Sequence, residues 1–125
     1  MLFTVSQRFF FDAAHTLKRE IEAKGSRRVH GHTYHAEVWL QGERDPSTGM
    51  VIDLGHLRGK LEQVREQLDH HLLDDVPGLA PPTLENLCLF IVNAMGDLRP
   101  QLSRVRVWRE ALGAGCTLEL GPLPS

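Results

Sequence analysis

Residues 30–40 read HGHTYHAEVWL, and from His32 onward they alternate strictly between two sets of side chains. One set is apolar apart from a phenol hydroxyl: Tyr34, Ala36, Val38 and Leu40. The other set is polar or amphipathic: Thr33, His35, Glu37 and Trp39. Because successive side chains of an extended chain point to opposite faces, this pattern predicts a β-strand with one buried face.

Strand patterns on either side of this stretch extend the sheet. Residues 3–11 are rich in aromatic and β-branched side chains and predict a first strand, which leads into a small-residue turn at residues 13–15. Residues 45–49 carry the proline and glycine of a turn, after which residues 50–52 are expected to extend the sheet briefly. Two further strands are predicted at residues 104–110 and 116–120.

Two amphipathic helices are predicted between the second and third strands. In the first, Asp53 is the N-cap, and apolar residues recur at steps of three and four: Leu54, Leu57, Leu61, Val64 and Leu68. Thr83 is the N-cap of the second, whose core face is Leu84, Leu87, Cys88, Ile91 and Met95. The order is therefore β-β-α-α-β-β, an α+β layer with two helices on one sheet face. We expect one domain over residues 1–125, with a loose tail at 121–125.

The composition argues against several classes of protein. The chain has 125 residues, of which 42% are hydrophobic and 24% charged, enough for one ordinary globular domain. A formal net charge of -2 argues against a dedicated nucleic-acid binder. A membrane span needs about 20 consecutive apolar residues, and no stretch of the sequence approaches that length. Because Cys88 and Cys116 form no Cys-x-x-Cys pattern, neither a disulfide framework nor a thiolate zinc site is indicated. We expect a cytoplasmic protein.

Three of the seven histidines occupy positions that suit a metal site. Residues two apart in an extended chain project to the same side, so His30 and His32 present two imidazoles together, with only Gly31 between them. His15, at the end of the first strand, is the natural third ligand. A catalytic zinc site takes three protein ligands and leaves a fourth position open. The spacing alone also allows solvated or hydrogen-bonded histidines.

Two other features carry candidate chemistry. Asp69 and His70 lie where the first helix ends, and a carboxylate beside an imidazole can orient it for acid–base work. The alternative is a helix C-terminus that favours histidine because of its dipole. Glu110 falls on the strand face opposite Val105 and Val107, where a solvated side chain is the simplest interpretation.

These motifs occur together in one order along the chain. They are FDAAH (11–15), HGH (30–32), GMVID (49–53), LDH (68–70), PTLEN (82–86) and RE (109–110). In this order nearly the whole chain resembles the 6-pyruvoyltetrahydropterin and 6-carboxytetrahydropterin synthases. A match over six spaced motifs is far more specific than any single histidine pair.

The resemblance implies a tunnelling fold, in which a four-stranded antiparallel sheet carries two helices on one face and subunits join into barrels. We therefore expect a homo-hexamer. It also implies zinc held by His15, His30 and His32, and 7,8-dihydroneopterin triphosphate as the substrate. By motif, Glu110 is the carboxylate that holds the guanidine-like edge of the pterin, and Thr83 lies beside that pocket. A carboxylate is acceptor-only and matches the paired N–H donors of this edge.

The implied reaction requires proton transfers, and this chain departs from the family at one of the groups that perform them. Zinc acts as a Lewis acid on the side-chain oxygens of the substrate, and proton transfers then drive loss of triphosphate. In the family a cysteine four residues before His-Gly-His moves the proton, supported by an Asp-His pair such as Asp69 and His70. Here that position is Ser26, whose hydroxyl is a far weaker acid than a thiol with a pKa of about 8.5.

Several activities fit this set of residues. The first is a zinc-dependent lyase of the 6-carboxytetrahydropterin type, serving deazapurine (queuosine) biosynthesis, with Asp69 and His70 moving protons and Ser26 assisting or only filling space. The alternatives are formation of the 6-pyruvoyl product and side-chain cleavage for folate synthesis. A catalytically silent zinc- and pterin-binding paralogue is a further alternative. Candidates for binding the triphosphate are Lys18, Arg19, Arg27 and Arg28.

Overall fold

A four-stranded antiparallel sheet, in the order β1-β2-β3-β4, forms the centre of the molecule. The computed structural model describes residues 1–16 and 30–121, with the side chain of His30 outside this description. The strands are β1 (Phe3–His15), β2 (His30–Gly42), β3 (Leu102–Arg109) and β4 (Ala114–Glu119). The helices α1 (Leu54–Leu68) and α2 (Leu84–Ala94) lie between β2 and β3 in the chain. The predicted order β-β-α-α-β-β is confirmed.

Both helices pack on the face of the sheet that the alternation in β2 predicts to be buried. The apolar set of β2 is at most 1% exposed. It shares one hydrophobic core with side chains from both helices: Leu57, Leu61, Val64, Leu68, Leu87, Cys88 and Ile91. Each fully buried leucine or isoleucine contributes about 1.5–3 kcal/mol relative to an exposed one, so this layer is the main source of stability.

The opposite face of the sheet presents the polar set and is rich in arginine–aromatic contacts. The rings of His35 and Trp108 stack with their centroids 5.5 Å apart. The guanidinium groups of Arg8 and Arg106 lie 5.6 and 5.3 Å from the Trp108 ring centroid. Arg8 also donates from Nε to Glu37 Oε1 over 2.9 Å. One stretch of alternating sequence thus predicts both faces.

Both helices begin at the predicted N-caps. Asp53 Oδ1 accepts from the Gly55 amide over 2.8 Å, and Thr83 Oγ1 accepts from the Asn86 amide over 3.1 Å. Such a cap stabilises a helix by about 1 kcal/mol. Leu54, predicted to begin the buried stripe of α1, is 37% exposed, so burial begins only at Leu57. Neither helix, and no other within the described residues, is long and apolar enough to cross a membrane.

The predicted turn at residues 13–15 is wrong. β1 continues to His15, with Ala13 paired to His32 and His15 paired to His30 across the ladder. Ala13 is only 6% exposed and belongs to the core. Small side chains suit a closely packed sheet face as well as a turn, and here the long pairing with β2 decides between the two conformations.

The predicted strand extension at residues 50–52 is also wrong. The Met50 carbonyl accepts from the Asp45 amide over 2.9 Å and so closes the turn. The Val51 carbonyl accepts from the Gln101 side chain over 3.1 Å. Because these carbonyl groups bond to a turn amide and a side chain, the segment has no strand ladder.

The third strand ends one residue earlier than predicted. Glu110 opens a 3-10 turn, Glu110–Leu112, instead of closing β3. Gly113 then adopts a φ of 66°, a left-handed conformation that glycine takes without steric cost, and the chain reverses into β4. Arg109 is therefore the last residue of the strand. The predicted tail at 121–125 lies, except for Gly121, outside the described residues.

Candidate functional site

The sheet brings His15 and His32 together at one end of the β1–β2 ladder. His15 is 2% exposed, and its ring centroid lies 4.8 Å from that of His32, with the ring planes tilted by 49°. Both rings meet Tyr34 edge-on, with centroids 6.3 and 5.7 Å away. His32 and Tyr34 lie on the same face of β2, and the phenol ring packs against both imidazoles.

The histidine pair has the donor chemistry that a zinc ion requires. Imidazole is a preferred zinc ligand. His30 stands directly across the ladder from His15 in the backbone register. Within the described residues, no set of three His, Cys, Asp or Glu side chains is grouped closely enough to hold a metal. The predicted third ligand is His30, whose side chain is outside that description.

A segment that follows α1 runs along the outer edge of β1. We call residues 69–74 the edge segment. The Asp12 amide donates to Asp69 Oδ1 over 2.9 Å, and the Asp12 carbonyl accepts from the His70 amide over 2.6 Å. Two residues further along β1, the Ala14 amide donates to the His71 carbonyl over 3.1 Å. The edge segment therefore satisfies backbone groups of Asp12 and Ala14 on the edge of β1 that faces away from β2.

Asp74 closes the other end of the edge segment against Thr16. Its two carboxylate oxygens accept from the Thr16 amide over 2.9 Å and from the Thr16 hydroxyl over 2.6 Å. Burial acts to raise the pKa of Asp74, but the hydrogen bonds from Thr16 outweigh it, so the pKa lies below its usual range. An ionised carboxylate thus anchors the residue that follows His15.

Asp69 and His70 form the predicted pair at the other end of the edge segment. His70 Nδ1 lies 2.8 Å from Asp69 Oδ2, and Arg65 Nη2 lies 3.3 Å from the same oxygen. The hydrogen bond from the Asp12 amide, and then that with His70, holds the pKa of Asp69 below its usual range. The His70 side chain is 78% exposed. The carboxylate is fixed and charged, and it presents an accessible imidazole.

Two openings flank the histidine pair. His32 and His70 both line a smaller cleft of about 520 Å³. His15 lines a larger pocket of about 770 Å³, which reaches the N-terminal end of α2. The larger pocket is large enough for a bicyclic ring with a short side chain, since small-molecule sites are commonly about 300–1,000 Å³. Its polar lining residues are His15, Thr16, Tyr34, Asp74, Thr83, Glu85 and Arg109.

The predicted substrate-binding residues occupy different places. Thr83 lines the larger pocket, where its hydroxyl also caps α2. Glu110 is exposed outside the lining of that pocket and accepts from Trp108 Nε1 over 3.4 Å. The carboxylate that lines the pocket beside Thr83 is Glu85. Ser26 lies outside the described residues, as do the basic residues at 18, 19, 27 and 28.

Tyr34 and Arg109 are among the groups of the larger pocket that sequence reasoning missed. Tyr34 is 1% exposed, and burial raises its pKa to about 12 despite the nearby positive charge of Arg109. The Arg109 guanidinium carbon lies 5.9 Å from the Tyr34 ring centroid, and Nη1 lies 3.4 Å from His32 Nε2. The available signal was strand parity, which places Tyr34 with His32 and Arg109 with Val105 and Val107.

The comparisons with known proteins agree with this architecture. A family model described as 6-pyruvoyl tetrahydropterin synthase matches residues 4–120. The 6-carboxy-5,6,7,8-tetrahydropterin synthase of Synechocystis sp. is 36% identical over 95 residues, which cover 72% of each chain. The human 6-pyruvoyl tetrahydrobiopterin synthase is 34% identical over 120 residues, covering 83% of each chain.

A solved structure shows the same fold over almost the entire length. The 6-pyruvoyl tetrahydropterin synthase of Caenorhabditis elegans superposes with a TM-score of 0.83 at 25% identity, covering 97% of both chains. The family match extends over the strands that carry the histidine pair. The chain therefore belongs to the 6-pyruvoyl tetrahydropterin synthase family.

Proposed function

We propose that this protein is a zinc-dependent lyase that converts 7,8-dihydroneopterin triphosphate to 6-carboxytetrahydropterin in the cytoplasm, for deazapurine biosynthesis. The observation that carries the proposal is the His15–His32 pair, whose rings lie 4.8 Å apart beside a pocket of about 770 Å³. The relative in Synechocystis, named for this product, supports the choice of reaction.

In this proposal His15, His30 and His32 hold the zinc ion. Bound zinc supplies Lewis-acid polarisation of the side-chain oxygens of the substrate. The protein shields this site from water, since the His15 side chain is 2% exposed and the Tyr34 side chain 1% exposed. Thr16, fixed by Asp74, holds the backbone next to His15 in place.

The Asp69–His70 pair is the proposed proton carrier. The imidazole at His70 Nε2 takes up and returns the proton, while Asp69 holds Nδ1 and stabilises the cationic ring. Ser26 takes the position of the family's cysteine and assists at most. Cys88 is no substitute for that cysteine, because it is 1% exposed and burial raises its pKa to about 12. The proposed mechanism therefore uses no thiol.

The product distinguishes this reaction from its relatives. We expect purified protein incubated with 7,8-dihydroneopterin triphosphate to release 6-carboxytetrahydropterin, identified by mass spectrometry. The human relative, named for a pyruvoyl product, makes 6-pyruvoyl tetrahydropterin the second candidate. A 6-hydroxymethyl dihydropterin would instead indicate side-chain cleavage for folate synthesis. Binding of the substrate without turnover would indicate a silent paralogue and contradict the lyase.

The carboxylate that anchors the pterin can be identified by substitution. The family motif predicts Glu110 as this anchor, but the carboxylate that lines the pocket next to Thr83 is Glu85, and we propose Glu85 as the anchor. We expect Glu85→Gln to weaken neopterin binding at least about tenfold, because an amide presents a donor to the donors of the pterin edge. Calorimetry on Glu85→Gln and Glu110→Gln makes the comparison. A larger loss in Glu110→Gln would assign the anchor to Glu110.

We further propose that the subunits assemble into a homo-hexamer. Within the described residues β4 has a strand neighbour on one side only. An unpaired strand edge exposes amide and carbonyl groups that another copy can satisfy, and closed rings of identical subunits do so without leaving free edges.

A further inference from the structure

Arg109 is a cation on the buried side of the sheet. It follows Val105 and Val107 at intervals of two along β3, and both valines are fully buried. The other arginines of this strand, Arg104 and Arg106, have the opposite parity and are exposed. Arg109 is half-buried and lines the larger pocket. Strand geometry therefore directs this guanidinium toward the pocket.

The charge of Arg109 is not matched by a carboxylate in the part of the chain that the structure describes. The described ion pairs use other arginines, such as Arg104 with Glu119 at 2.8 Å and Arg8 with Glu37 at 2.9 Å. Arg109 Nε is buried with no hydrogen-bond partner. A charge removed from water is costly unless it is paired, so a half-buried guanidinium facing a pocket indicates an anionic guest.

A second donor stands beside Arg109. The Tyr34 side chain is 1% exposed, and its hydroxyl is buried with no hydrogen bond of normal geometry. The guanidinium carbon of Arg109 lies 5.9 Å from the Tyr34 ring centroid. Asp74, the other charged group near His15, already binds Thr16 with both oxygens. Arg109 interacts with the Tyr34 oxygen, which leaves the phenolic hydrogen and Arg109 Nε to donate to an acceptor-rich ligand group.

We propose that Arg109 and the Tyr34 hydroxyl form an anion subsite that binds a phosphate group of the substrate. The identification of that group as the substrate's triphosphate rests on the proposed function. Arginine suits this role, because its planar fork of donors matches phosphate oxygens in pairs. Since Arg109 Nη1 lies 3.4 Å from His32 Nε2, the subsite adjoins the histidine pair. It would hold the phosphate end of the substrate close to the side-chain oxygens that are to react.

Calorimetric titration with two probes tests the subsite. Inorganic triphosphate carries only the anion, and neopterin carries only the ring and the uncharged side chain. At about 0.15 M salt, we expect Arg109→Gln to weaken triphosphate binding about tenfold or more, and neopterin binding less than about twofold. Arg109→Lys keeps the charge but loses the paired donors, so it should fall between the wild type and Arg109→Gln. Tyr34→Phe should cost about threefold for triphosphate.

Arg104→Gln is the matched control. It removes the same charge from the same strand, but from the opposite face, where Arg104 pairs with Glu119. It should leave triphosphate affinity within about twofold of the wild type. Equal affinity in Arg109→Gln and Arg104→Gln would overturn the subsite and leave direct binding to a metal as the explanation. No triphosphate binding by the wild type, or equal losses for both probes in Arg109→Gln, would also overturn it.

The same titrations separate the subsite from the proposed function. If triphosphate binds through Arg109 while neopterin binds to no variant, the anion subsite stands and the pterin substrate is wrong. If neopterin binds and triphosphate affinity does not depend on Arg109, the pterin pocket stands and the subsite is wrong.

Discussion

His70→Ala is expected to lower turnover of 7,8-dihydroneopterin triphosphate by about 10²–10⁴-fold, the usual cost of removing a general acid–base group. The structure supplies the reason, because His70 Nδ1 lies 2.8 Å from Asp69 Oδ2 and the side chain is 78% exposed beside the cleft that His32 also lines. Metal content should be unchanged, since His70 is not among the proposed ligands. Steady-state kinetics with elemental analysis of the same samples makes the measurement.

His71→Ala is the matched control for this loss. His71 is also exposed, but its Nδ1 contacts the Asp69 carbonyl at 2.8 Å, and its link to β1 uses only its own backbone carbonyl. This variant should retain turnover within a few fold of the wild type, as should Ser26→Ala. If His70→Ala were equally active, the Asp69–His70 pair would not be the proton carrier. Loss of turnover in proportion to alkylation of Cys88 or Cys116 by iodoacetamide would instead point to a thiol.

His32→Ala should remove most of the bound metal, from about one zinc per chain in the wild type, and with it the activity. Loss of one of three imidazoles leaves too few ligands for a tight site. Elemental analysis after gel filtration measures the metal directly.

His35→Ala is the control for the metal site. It lies on the same strand, three residues further along, but on the opposite face, where its ring stacks on Trp108 at 5.5 Å. We expect this variant to keep its full metal content. Stoichiometric metal in His32→Ala would show that the ion, where present, is held elsewhere.

The parts of the fold that repeat locally were predictable from sequence. Alternation in residues 30–40 predicted both faces of β2, and the apolar stripe of α1 predicted four residues that are at most 3% exposed: Leu57, Leu61, Val64 and Leu68. These patterns are strong because every member of each pattern faces the same environment. Leu54 belongs to the same stripe but is 37% exposed, because periodicity does not show at which residue the helix begins to be covered by the sheet.

The candidate site was predictable in part from the sequence. His15 and His32 are in contact because the β1–β2 register brings them together, although the sequence favoured a turn at residues 13–15. Arg109 was missed because a charged strand residue is usually solvated, although its parity with Val105 and Val107 places it on the inner face, where it lines the pocket. Asp74 was missed for another reason. Its partner Thr16 is 58 residues away, a contact that no local pattern encodes.

The edge segment constrains how this protein can change over evolutionary time. It contacts β1 through Asp69 on Asp12 and the His71 carbonyl on Ala14, and it contacts Thr16, the residue after β1, through Asp74. An insertion or deletion anywhere between these anchors would shift one end along the strand by about 3.3 Å, the rise of one residue, and break the contact there. His15, next to Thr16, and His70, next to Asp69, would then no longer hold their relative positions. At His71, whose link to β1 uses only its backbone carbonyl, the side chain can therefore vary more freely than the number of residues in the segment.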